Sequence, residues 1–338
     1  MEWGPVTRKD ARSLAEFWAA VEAEDRTGES HGVDDVVEQL AHHGIDLAAG
    51  TLAARDGDRI AAFSYLPVRP SAAETHPMRL WGGVHPAHRG RGHGRRLLDW
   101  AITTAPGLSE RAFPGVPPEL RLNVHDGNPG LAALAEGAGF AAVRTFARME
   151  RTLPGELPEP RPPGGVSIAT WSPELDDGAR HVRNESFRDH WGTVPHTRES
   201  WRGHAAGSRS FRPDASFVAL AGDRAVGVLI THFHDLHSAR IGVRQAVISI
   251  IGTLREWRGK GVASALLAHA LHVLAGQGYE SAVLSVDTEN PTGALGVYTR
   301  AGFAITQRSR NYALRLPQGA PRLPQGERRD ESGAGVHE

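Results

Sequence analysis

Arg258-Gly259-Lys260-Gly261-Val262-Ala263 decides how this chain is read, because its pattern occurs twice. Arg89-Gly90-Arg91-Gly92-His93-Gly94 repeats the arginine, the small residues and the apolar helix that follows. Glycine lets backbone amides approach an anion with no Cβ in the way, and the first amides of a helix have no partner inside it. With the helix dipole and the basic side chains, such a loop suits a phosphate. Each loop is followed by an Asn-Pro pair (Asn128-Pro129, Asn290-Pro291) and then by a Gly-Phe pair (Gly139-Phe140, Gly302-Phe303). One domain is written twice.

Working outward, the two copies predict the same elements in the same order. Each begins with a short strand, Val166–Ala169 in the second copy. An amphipathic helix follows, with Leu14, Phe17, Trp18 and Val21 at helical spacing in the first. Turns at Asp56-Gly57-Asp58 and Gly222-Asp223-Arg224 predict β-hairpins. The next strands, 79–84 and 246–251, lead into the glycine loops. Leu97, Leu98 and Ala101, or Leu266, Leu267, Ala270 and Leu271, mark the helices after them. Buried strands at 120–124 and 282–286, a short helix and a last strand complete each copy. The six extra residues between Arg89 and Phe140 are assigned to the loop around Pro114-Gly115-Val116-Pro117-Pro118. The fold class expected is α/β, two tandem domains with mixed, mostly antiparallel sheets flanked by helices. Their limits are 1–152 and 166–316. The proline-rich stretch 153–165 is read as a linker, and the polar tail 317–338 as disordered.

Composition narrows the function. The chain has 338 residues, 40% of them hydrophobic, enough for two packed domains. A net charge of −1 gives no bulk attraction to nucleic acid or to a membrane. There is no cysteine, which excludes disulfides, thiolate metal sites and a cysteine nucleophile. The N-terminal residues do not resemble a signal peptide, and no apolar stretch is long enough for a membrane helix. A cytoplasmic monomer or homodimer is expected.

The pattern Arg-x-x-Gly-x-Gly/Ala, followed by the asparagine and, in the second copy, by Tyr298 four residues before Gly302, resembles the GNAT superfamily of N-acetyltransferases. The two-domain layout is similar to that of the mycothiol synthases within it. The resemblance implies acetyl-CoA as cosubstrate, with its pyrophosphate on the loops: Arg258, Gly259, Lys260, Gly261, Val262 and Ala263, and Arg89, Gly90, Arg91, Gly92, His93 and Gly94. It implies thioester contact by the strand backbone at Ile251, Gly252 and Thr253, and at Gly83, Val84 and His85. Asn290 and Asn128 would contact the pantetheine arm. Tyr298 would be the general acid for the departing thiolate; its counterpart is Ala135, so catalysis is expected in the second half only. The glutamate base that many GNATs carry falls on Val247 here, and on Met78 in the first half. Water, another segment or a low acceptor pKa would have to serve instead, and His232 and His234 are the nearest side-chain candidates. His-x-His also suits a metal, but no carboxylate or cysteine cluster completes a site, so none is expected.

The acceptor, a small-molecule amine, is expected near the ends of the first helices. There Glu22, Glu24, Asp25 and Glu29 crowd one copy, and Glu185, Asp189, His190 and Trp191 the other, with Trp201 nearby. Two other functions remain open on sequence: a non-catalytic acyl-CoA sensor and a protein N-terminal acetyltransferase. A Rossmann-type nucleotide site fits worse, because the glycine loop follows a late strand of each half.

Overall fold

The computed structural model describes residues 1–28, 30–41, 44–69, 71–188, 190–290 and 293–317, so nearly all of the predicted tail lies outside it. The first half runs β1 (Glu2–Gly4), α1 (Ala11–Asp25), α2 (Val33–Leu40), β2 (Thr51–Asp56), β3 (Arg59–Tyr65), β4 (His76–Arg79), β5 (Trp81–Val84), α3 (His93–Ala112), β6 (Pro118–His125), α4 (Pro129–Gly137) and β7 (Ala141–Thr152). The second runs β8 (Val166–Thr170), α5 (Asp176–Ser186), α6 (Arg198–His204), β9 (Phe217–Ala221), β10 (Arg224–Phe233), α7 (Asp235–Ile241), β11 (Gln245–Thr253), α8 (Val262–Gly276), β12 (Ser281–Asp287), α9 (Ala294–Arg300) and β13 (Ala304–Arg315). The second helix of each half, α2 or α6, and the short α7 are additional to the sequence reading.

Apolar spacing explains the long helices. Leu14, Phe17 and Val21 put one face of α1 into a core with Phe63 and Tyr65. Leu266, Leu267, Ala270, Leu271 and Leu274 do the same for α8 in the second-half core. The extra residues of the first half lengthen a helix rather than the proline loop: α3 has 20 residues against 15 in α8. Leu108 and Ser109 keep the buried face going, so the helical turn is stabilised by packing.

The strands form a four-stranded sheet, β1-β2-β3-β5, and a nine-stranded sheet, β4-β6-β13-β7-β12-β11-β10-β9-β8. The run predicted as one strand over 79–84 is therefore divided between two sheets. The division falls at Leu80; beyond it, inside β5, Gly82 has a φ of +141°, and a Cβ there would overlap the carbonyl oxygen of Phe63. In the second half β11 is continuous, with an irregularity opposite Ile230/Thr231.

The final strands are exchanged between the halves. β7 pairs with β12 of the second half, from Ser281↔Thr152 to Asp287↔Phe146. β13 pairs with β6 of the first half, from Ser309↔His125 to Arg315↔Glu119. β7 and β13 also pair with each other inside the large sheet, between β6 and β12. Tyr312 and Leu316, from the end of the chain, lie in the core of the first half beside Leu120, Leu122 and Phe140. Met149, from β7, lies in the core of the second.

Candidate active site

The two glycine loops fold alike. Gly90 and Gly259 have φ of +73° and +74°, and Gly92 and Gly261, the N-caps of α3 and α8, have +81° and +91°. Side chains at these four positions would meet no atom within 4 Å, so the demand for glycine comes from the left-handed backbone. That backbone turns successive amides the same way, which makes an anion-binding concavity at a helix N-terminus. His93, Gly94, Val262 and Ala263 form the first turns of the two helices. Arg91 and Lys260 are exposed at the loops, with the Lys260 ammonium 4.9 Å from the Trp257 ring centre. Arg89 and Arg258 instead tie each loop to its half's first helix. Arg89 donates to both carboxylate oxygens of Asp25 at 2.7 and 2.8 Å, and Arg258 donates to the Ser186 carbonyl at 2.9 Å.

Beside each loop, two parallel strands part. β4 and β6 pair only as far as Arg79↔Arg121, while the chain continues through β5 to Val84 and β6 continues to His125. β11 and β12 pair only to Val247↔Val283, then run on to Thr253 and Asp287. Antiparallel register makes Gly83, opposite Phe63, the counterpart of Gly252, opposite Val228. Gly82, Gly83 and Val84 thus match Ile251, Gly252 and Thr253. His85 lies one residue beyond, where its Nδ1 accepts from the Ala87 amide at 3.2 Å. In the first half the parting opens a cavity of about 500 Å3, lined by Gly82, Gly83, Val84, Leu122, Asn128 and the loop. Asn128 uses its side-chain oxygen to cap α4, accepting from the Leu131 amide at 3.0 Å. In the second half Ser186 and Phe187, at the end of α5, pack against Gly252; a Cβ there would overlap the serine hydroxyl. Asn290 follows β12 and accepts a backbone bond from Gly293 at 3.4 Å.

Tyr298 lies on α9, 9% exposed and against Phe303. Its hydroxyl has no hydrogen-bond partner among the described residues. Burial pushes the phenol up to about 12, so it holds its proton at neutral pH. Ala135, the counterpart, is fully buried in the first-half core.

The two histidines read as candidate bases stand in different surroundings. His232 is buried, with Nδ1 3.0 Å from Ser210 Oγ, and its Nε2 is buried without a partner. Its ring stands 5.1 Å from that of His204, and His196 lies 5.6 Å beyond. Burial first, then the neighbouring His204, His234 and Arg212, push His232 down to about 3, too weak to draw a proton from an ammonium. His234 is exposed at the N-terminus of α7. No group of three or more histidine, aspartate or glutamate side chains among the described residues is placed to hold a metal.

The acceptor region also changes. Glu22 is buried and accepts from Thr27, the Gly28 amide and Arg240 of the other half. Burial raises its pKa, but these bonds more than offset that and hold it below the ordinary carboxylate range, so it braces the loop after α1. Glu24 is exposed, and Glu29 and Asp189 lie outside the described residues. Glu185 pairs with Arg188 at 2.6 Å. Trp201, 1% exposed, donates to Asp176 from the core and cannot face an acceptor. His190 and Trp191 line a second cavity, of about 410 Å3, over the exchanged strands. Its arginines, Arg69, Arg79, Arg121, Arg148 and Arg308, went unread in the sequence because they come from separate elements and meet only through the sheet. Asp287 went unread too: it is buried at the end of β12, two residues beyond the cavity-lining Ser285 and hence on the same strand face.

Residues 16–140 and 177–303 each match the acetyltransferase (GNAT) family. The chain belongs to that family. It is an N-acetyltransferase with two GNAT domains in tandem. It is 32% identical over 286 residues to the mycothiol acetyltransferase of Thermobispora bispora, covering 82% of this chain and 89% of the relative. It is 31% identical over 320 residues to that of Salinispora tropica, covering 91% and 96%. Among solved structures it is similar to a GCN5-related N-acetyltransferase from Sphaerobacter thermophilus, at 25% identity and a TM-score of 0.72, over 95% of this chain and 97% of that one. A tandem GNAT protein from the clavulanic acid biosynthesis pathway shares the fold, with a TM-score of 0.70 at 17% identity, over 94% and 99%.

Proposed function

We propose that this GNAT enzyme transfers an acetyl group from acetyl-CoA to the primary amine of a small molecule, by direct attack on the thioester, in its C-terminal half. The observation that carries the reading is the early end of the β11–β12 ladder at Val247↔Val283, beside the left-handed Gly259 and Gly261. It leaves strand backbone unpaired next to an anion cradle, and that is the shape a pyrophosphate-bearing thioester needs. Acetyl-CoA supplies an activated acetyl thioester when bound.

The residues then divide the work. The amides of Gly259 to Ala263 hold the pyrophosphate. The backbone of Ile251, Gly252 and Thr253 faces the acyl carbonyl and steadies the charge that develops on its oxygen. Asn290 contacts the pantetheine arm. Tyr298 keeps a phenolic proton and a hydroxyl without a partner among the described residues, and gives that proton to the leaving sulfur as the new C–N bond forms and the C–S bond breaks. The amine loses its own proton to water; Asp287, buried at the end of β12 with one carboxylate oxygen accepting from the Glu289 amide at 2.9 Å, is the residue that would orient that water. The first half, with a formed cavity but Ala135 in place of a tyrosine, binds acetyl-CoA without turning it over.

The test is thiol release from acetyl-CoA across a panel of amines. Tyr298→Phe should lower kcat by about 100-fold or more, with acetyl-CoA binding retained by calorimetry. An unchanged kcat on an amine that the wild type acetylates would refute catalysis by the second half.

A further inference from the structure

The two halves close differently over matching strand backbone. In the second half Ser186 and Phe187 stand on Gly252: a Cβ there would overlap the serine hydroxyl and lie 3.4 Å from the Phe187 ring. In the first half the counterpart, Gly83, is open. Among the described residues a Cβ on it would meet one atom within 4 Å, a Phe17 ring carbon at 3.9 Å. The preceding position differs as well, with Ile251 in the second half and Gly82 in the first. Both first-half glycines line the cavity of about 500 Å3.

The first helices account for the difference. α1 has 15 residues and α5 has 11, so α1 is about one turn longer. That turn ends at Asp25, and Arg89 holds the first loop through the aspartate side chain. Arg258 instead reaches the main-chain carbonyl of Ser186, which brings the end of α5 down onto β11. The first-half cavity is therefore left open from the glycine loop, at Gly90 and Gly92, past Gly83 to Trp18, Val21, Leu80 and Trp81. Val21 is buried and the other three are half-buried. An anion cradle that runs into an apolar, aromatic-walled space suits a ligand with a phosphate at one end and a hydrocarbon chain at the other. An acetyl group has a single methyl to set against such a wall; a longer acyl chain covers it.

Resting on the acetyltransferase reading, we propose that the first half is a site for acyl-CoA with a chain longer than acetyl, bound there but not transferred. Trp18, Val21, Leu80 and Trp81 receive the chain, while Ser186 and Phe187 confine the second half to acetyl. Calorimetry with acetyl-CoA and butyryl-CoA tests this without turnover. Gly261→Glu blocks the second loop and isolates the first site; Gly92→Glu isolates the second. Each methylene moved from water onto an apolar wall is worth about 4-fold in affinity. In Gly261→Glu, butyryl-CoA should therefore bind about 10-fold more tightly than acetyl-CoA. Adding Gly83→Val, which sets a branched side chain at the cavity wall, should remove that preference. In Gly92→Glu butyryl-CoA should bind no more tightly than acetyl-CoA. Equal affinities or no binding in Gly261→Glu, a preference that Gly83→Val leaves intact, or the same preference in Gly92→Glu overturns the proposal. The wild type reads the same point with both loops intact: butyryl-CoA should show one tight and one weak site, and two equal sites overturn it. Failure of acetyl-CoA to bind the wild type at all is a separate result, and it refutes the acetyltransferase reading itself.

Discussion

Four histidines make the folded protein sensitive to mild acid. Burial pushes His196 and His232 down to about 3, and His76 and His204 down to about 4, with nearby positive groups adding to the shift. In the unfolded chain each returns to about 6.5. Below that pH the unfolded state binds protons that the folded state refuses, so stability falls as pH falls and goes on falling until the folded values are reached. Between pH 7.5 and 5.5 each histidine costs a little over about 1 kcal/mol, so that the four together cost about 5 kcal/mol. That is a large part of the roughly 5–15 kcal/mol by which a domain is stable. Carboxylates contribute little in this window, since they stay ionised in both states. The assay is urea unfolding at the two pH values, with calorimetric unfolding at pH 5.5 in buffers of different ionisation enthalpy. Unfolding should take up at least about three protons, on the order of one for each of these four histidines, with further uptake by His85, His93, His234, His237 and His269, which are also held below the ordinary value. In His204→Leu the pH dependence should shrink by about 1 kcal/mol. Proton uptake near zero, or equal stability at the two pH values, would refute the argument that these imidazoles are neutral because they are buried.

Three other outcomes are expected. Gly82→Ala, which forces a Cβ against the Phe63 carbonyl at a φ of +141°, should cost about 1–3 kcal/mol or more in urea unfolding and shrink the first-half cavity. A cost near zero would mean that the backbone relaxes freely there. Gly261→Glu, which sets a carboxylate at the second anion cradle, should remove one of two acetyl-CoA sites in a calorimetric titration; two surviving sites would mean that this loop does not carry the pyrophosphate. Residues 1–152 and 166–316, expressed apart, should each lack cooperative unfolding and should recombine when mixed, because each needs the other's last strand. A cooperatively folded 1–152 would show that the exchange is dispensable.

Local chemistry explains what was legible. The two glycine loops could be read because their glycines answer a backbone need written within six residues. The helices and hairpins could be read from apolar spacing and turn residues. Tyr298 and Ala135 could be compared because the copies align across the short α9 and α4. The surroundings of His232 were not legible for the opposite reason: its lowered pKa comes first from burial and then from His204, His234 and Arg212, little of it visible in a His-x-His pair.

By itself, then, the sequence determined the duplication, the α/β order of elements, the two left-handed glycine loops and the half that keeps a tyrosine. Only the tertiary structure decided that β7 and β13 change places, that residues 76–84 divide between two sheets at Leu80, and that arginines from both halves converge on one cavity. A strand's pattern records which of its faces is buried but not which strand lies beside it. Two halves with the same pattern leave that partner open, and the pairing that fills both gaps in one sheet is settled only when the whole chain packs.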